Sequence, residues 1–167
     1  MNRTVVFVLA TAFPIALAAQ ESSSSCSAHH AHTGVDERGD RVMGFDHAKT
    51  THHFRLTPSG GAIEVTANDP EDVKSVEAIR SHLAHIAQMF AEGDFEAPMR
   101  IHDRVPPGVP VMKRDRANIR WAYEEMPAGG RVNATTKDKD DLAAIHEFLR
   151  FQIEDHRTGD STDIAVH

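Results

Sequence analysis

Twelve of the 167 residues are histidine, roughly three times ordinary usage, and six are methionine. Neutral imidazole nitrogen and thioether sulfur are the borderline and soft donors that copper and zinc prefer. Spacing selects among them. His82 and His85 stand three apart in an amphipathic stretch, so on a helix they leave the same side. Met89 follows His85 by about one further turn. Met99 and His102 are again three apart, and Met112 lies beyond them. His52 belongs to an alternating segment whose face also carries Phe54 and Leu56. The expected metal ligands are His52, His82, His85, Met89, Met99 and His102. Thioether beside imidazole favours copper, Cu(I) above all, with zinc as the alternative. A one-residue register slip would exchange His52 for His53. His146 reads as flanking the apolar stripe of a second helix, and His156 as a partner for that helix's C-terminal dipole.

An internal repeat has to position these groups. Pro58-Ser59-Gly60-Gly61 matches Pro127-Ala128-Gly129-Gly130, and each motif joins two alternating apolar segments, the pattern of a hairpin with its turn at Gly-Gly. Each hairpin runs into a helix. The first should start after Asn68 or Asp69, carry Val76, Ile79, Leu83, Ile86 and Phe90 inward, and stop at Gly93. The second carries Leu142, Ile145, Leu149 and Ile153. Ala78 through Asp94 aligns without gaps on Ala144 through Asp160. The expected fold is therefore α+β: a tandem strand-strand-helix repeat closing one four-stranded antiparallel sheet, with both helices on one face. His52, His82 and His85 then match Trp121, Phe148 and Phe151. Imidazoles thus occupy places where the fold accepts core aromatics.

The remaining segments frame a single domain. Residues 1–19 have the Arg3 n-region, apolar stretch and small-residue cleavage site of a secretory signal peptide, which predicts a periplasmic or secreted protein. Residues 20–42 are Ser- and His-rich and read as a disordered tail, in which Cys26 to His32 forms a separate candidate chelator. The domain should span 43–158, its half-repeats (about 45–94 and 118–160) joined by a long Pro- and Met-containing linker, with a C-terminal tail over 159–167. The net charge of −7 argues against nucleic acid or an anionic membrane as partner. Metal ion, and a protein receiving it, are the expected partners.

The phrases Thr51-His52-His53-Phe54, His82-Leu83-Ala84-His85-Ile86 and Phe148 to Ile153 resemble those of small secreted bacterial proteins of unassigned function. That resemblance implies no activity. The leading expectation is a copper chaperone, buffer or resistance factor. A zinc hydrolase or hydratase is the second reading, with Glu77, Asp94 or Glu96 as base. A metal-free interaction module with pH-sensing histidines is the third. There is no Gly-x-Ser-x-Gly, phosphate loop or Cys-x-x-Cys.

Overall fold

Alternating apolar residues build both hairpins. The computed structural model describes residues 24–165, with only the backbone described over 24–33. The chain runs α1 (Ser24–Met43), β1 (Thr50–Thr57), β2 (Gly60–Ala67), α2 (Val73–Glu92), α3 (Glu96–His102), α4 (Val109–Arg114), β3 (Arg120–Met126), β4 (Gly129–Thr135) and α5 (Lys139–His156). The four strands form one antiparallel sheet in the order β1-β2-β4-β3. The α+β expectation is met.

The register centres the sheet on the repeat. Ile63 pairs with Val132, its own counterpart, so the two hairpins meet about that point as a pseudo-two-fold. The Gly-Gly pairs do not form the turns, contrary to expectation. Thr57 pairs with Gly60 and Met126 with Gly129, which leaves Pro58-Ser59 and Pro127-Ala128 as the turns. The glycines open β2 and β4 and let these strands touch. A Cβ at Gly60 would stand 2.0 Å from the Ala134 carbonyl oxygen, and one at Gly129 2.0 Å from that of Val65.

Each helix crosses to the opposite hairpin: α2 packs on β3 and β4, and α5 on β1 and β2. Ile79, Leu83, Val132, Ile145, Phe148 and Leu149 are at most 2% exposed and join one core. Each such side chain contributes about 1.5–3 kcal/mol by burial. The α2 N-cap is Asp72, which accepts from Ser75 N, rather than Asn68 or Asp69; Asp69 instead caps the preceding turn through Glu71 N. Gly93 closes α2 in the left-handed region, as expected of a C-terminal glycine. Asp138 caps α5, and Arg157 takes the left-handed position at its end.

Three segments expected to lack structure have it. The stretch expected as a disordered tail is helical from Ser24 to Met43. Its C-terminal half docks on α3: Val35 is 5% exposed, and Arg38 Nε donates to the Ile101 carbonyl at 2.7 Å. The low apolar content hid this, because a few well-placed contacts anchor the helix. The linker folds as α3 and α4, buried through Ile101, Val109 and Met112. The expected C-terminal tail lies along β1, where the Asp160 carboxylate accepts from Phe54 N at 3.0 Å and Ala165 N donates to Leu56 O at 3.0 Å. It covers an edge strand that would otherwise offer unpaired backbone groups. The expected signal peptide lies outside the described residues.

Candidate metal centre

Five elements converge on one cavity. β1 turns His52 and Phe54 inward, α2 brings His82, α3 His102, the last turn of α5 Gln152 and His156, and α1 ends on Met43. Together with core aliphatics they line a space of about 60 Å³ between sheet and helices. Outside it lies a polar vestibule of about 270 Å³, lined by Asp36, His47 and Thr50 among others. Met43, His52 and His156 border both spaces.

Three imidazoles form a contiguous run. The ring centres of His52 and His156 are 5.8 Å apart, with planes 8° from parallel. Those of His156 and His102 are 5.0 Å apart and nearly perpendicular. His52 Nε2 is buried and has no hydrogen-bond partner. Burial, then the nearby His82, lowers the His52 pKa to about 4; burial, then His85, lowers that of His82 to about 4. Both rings are therefore neutral near pH 7 and offer lone pairs. His102 is 6% exposed. Its Nδ1 lies 2.5 Å from Asp155 Oδ2, and its Nε2 2.9 Å from the Gln152 side-chain oxygen. Arg104 holds the other Asp155 oxygen at 2.9 Å. This is the arrangement of a ligand histidine oriented by a carboxylate.

Of the six expected ligands, His52, His82 and His102 reach the cavity, and His85, Met89 and Met99 do not. The crossing of α2 explains the first two exceptions. With α2 over the second hairpin, His82 faces Phe45 at a ring-centre distance of 5.7 Å, while His85, three residues on, is exposed in a surface depression. Met89 packs against the apolar core. Met99 stays on the partly exposed side of α3, beside the inward-facing Pro98, Ile101 and His102. Met112 is 0% exposed and fills the core. His53 faces away and pairs with Asp160 at 2.8 Å, so the register keeps His52 as the inward residue. His146 is structural: its Nε2 lies 3.0 Å from Thr57 O and 2.9 Å from Gly60 O.

Two cavity residues escaped the sequence reading, His156 and Met43. The signal for His156 was present, because the alignment that matches His82 to Phe148 also matches His156 to Phe90. The pairing is real in space. His52 stacks on His156, and their counterparts Trp121 and Phe90 meet edge to face at 4.9 Å. Nothing in the sequence pointed to Met43, whose place depends on the docking of α1.

Imidazoles sharing one metal at ~2.0 Å Zn–N or Cu–N bonds have ring centres about 5 Å apart, close to the spacings found. Their nitrogens do not yet meet. Among the described residues, the group of at least three His, Cys, Asp or Glu whose ligand atoms lie within 4.8 Å of one another is Asp40, Asp46 and His47. That group is largely accounted for by its own bonds. Asp46 caps a 3-10 turn through Ala48 N, and Asp40 accepts from His47 N at 2.8 Å and pairs with its ring at 3.0 Å. Burial opposes charging His47, but the Asp40 hydrogen bond prevails and raises its pKa.

Comparison with protein-family models, with curated proteins and with solved structures finds no match to this chain. No helix among the described residues is long and apolar enough to cross a membrane.

Proposed function

We propose that the chain binds one soft or borderline transition-metal ion, copper first and zinc second, in the cavity between β1, α3 and α5. His52, His102 and His156 are the ligands, and Met43 closes the site from the vestibule side. The contiguous run of three imidazoles from three elements, one with a buried and unpartnered nitrogen, carries this reading. The Met43 thioether favours Cu(I). Metal binding would require modest side-chain rotation of His156 and His52 into the cavity. The role is that of an extracytoplasmic buffer or chaperone, a location that rests on the N-terminal segment's resemblance to a signal peptide.

The test is Cu(I) competition against a chromophoric chelator, with His29, His30 and His32 replaced by Ala to silence the N-terminal chelator. The otherwise native chain should bind one equivalent. A further His52→Phe, His156→Phe pair should weaken binding by at least about 100-fold, more than loss of a supporting residue costs. Undiminished Cu(I) and Zn(II) affinity in that variant places the metal elsewhere and refutes the proposal.

A further inference from the structure

α5 carries three polar side chains to the cavity region from its last turns: Gln152, Asp155 and His156. Only His156 is a ligand in the reading above. The other two grip His102 from both sides, and the hydrogen-bond count around that ring is unusual. The His102 side chain is 1% exposed, so it has no further partner in solvent. Its Nδ1 faces a carboxylate oxygen at 2.5 Å and its Nε2 faces the Gln152 oxygen at 2.9 Å. Both neighbours are acceptors. Meanwhile the Gln152 amide nitrogen, a two-proton donor, is buried with no partner. A buried donor left unpaired costs about 1–3 kcal/mol. The oxygen and nitrogen of a glutamine amide have nearly the same shape, and only the hydrogen-bond network distinguishes them. Reversing the amide gives an N–H a partner, His102 Nε2, and the ring then needs only its Nδ1 proton, donated to Asp155; the amide oxygen moves to the unpartnered position.

Resting on the metal reading, we propose that Gln152 is a placeholder for the metal ion. In the metal-free protein its amide N–H occupies the Nε2 lone pair of His102, and the metal must displace it to bind. Asp155 is the positioning residue, fixing the Nδ1–H form and aiming Nε2 at the cavity. A hydrogen bond in the ligand's place keeps a buried lone pair satisfied. It also lowers the apparent affinity for every ion, because each must displace the amide. His52, whose Nε2 is buried with no hydrogen-bond partner, has no such stopper. At His102, therefore, binding would need Gln152 to swing away.

The decisive measurement is two-bond proton–nitrogen NMR of metal-free protein near pH 7, with His102 assigned by its loss in His102→Phe. One pyrrole-type Nδ1 and one pyridine-type Nε2 are expected. A doubly protonated ring, or the Nε2–H form, overturns the proposal whatever the variants do. Cu(I) competition then tests the consequence. Gln152→Leu removes the competitor and should bind Cu(I) roughly tenfold more tightly, at the level of one modest hydrogen bond. Asp155→Asn should bind about 10–100-fold more weakly, with Asp155→Glu restoring most of the loss. Unchanged or weaker binding by a folded Gln152→Leu overturns the placeholder; should that variant fail to fold, the wild-type tautomer decides. Absence of Cu(I) binding in the wild type with the expected tautomer overturns the metal reading itself. Cu(I) binding with a doubly protonated His102 in the metal-free state overturns the placeholder alone.

Discussion

At one end of the sheet Trp121 meets Phe90, with Phe95 and Phe148 around them. At the other, in repeat-equivalent places, His52 meets His156, with His102 and Phe54 around them. The backbone scaffold is shared, as the pairing of Ile63 with Val132 requires. Only the chemistry of the rings differs. The aromatic end fills its space with large apolar surface, the ordinary content of a core. The histidine end keeps rings of similar shape but gives up transfer energy, since a buried polar nitrogen costs free energy unless it finds a partner. Trp121 Nε1 is also buried without one. An indole N–H, however, is only a donor, whereas the unprotonated nitrogen of an imidazole can take a metal. The comparison teaches that one half of this fold fills these positions with apolar rings, while the other places imidazoles there at a cost in burial energy.

The largest effect that tests the contrast is acid sensitivity. The His52 and His82 pKa values lie near 4 in the fold, against 6.5 in the unfolded chain. The unfolded state therefore binds more protons between these values. Their stabilising contribution is complete above pH 6.5 and is lost as the pH falls toward 4. Each ring can contribute up to about 3 kcal/mol to that loss. Urea unfolding across this range should show it, and a His52→Phe, His82→Phe variant should flatten the profile. Equal stability of the wild type at pH 4.5 and 7 would mean that these rings are solvated.

Exchanging the ring types at equivalent sites should give the next largest effect. Phe90→His places an imidazole in the apolar cluster and should cost about 2–4 kcal/mol at pH 7. The reciprocal His156→Phe should change the stability of metal-free protein by less than about 1 kcal/mol. Denaturant midpoints compare the two directly. A costly His156→Phe would show that the histidine end is packed as tightly as its counterpart.

The smallest effect concerns the edges. Asp160 ties the C-terminal segment to β1, with 6% of its side chain exposed. Burial opposes its charge, but the Phe54 N–H, Thr158 and His53 hold its pKa below the ordinary carboxylate range. Asp160→Ala should cost about 1–2 kcal/mol and raise amide hydrogen exchange in β1 but not in β3. Faster exchange in both edge strands would assign the effect to global destabilisation.

The sequence by itself determined the two ββα units, their helix stripes, the α+β sheet and the inward placement of His52 and His82. Period-two and period-3.6 patterns and a self-alignment are local or pairwise properties that need no knowledge of docking. The same alignment sets His156 opposite Phe90, but a histidine in a last helical turn also suits the helix dipole, so its residue type alone does not mark it as a cavity residue. Only the tertiary structure decided the rest. Each helix crosses to the other hairpin, which separates His85 and Met89 from the cavity and delivers His156 to it. The docking of α1 and α3 supplies Met43 and the Asp155–His102–Gln152 arrangement. These contacts join residues far apart in the chain, as His52 to His156 and Arg38 to Ile101 do. They depend on which apolar faces find each other when the core closes. No spacing along the chain encodes that choice, because the free energy that selects it comes from burial shared among elements.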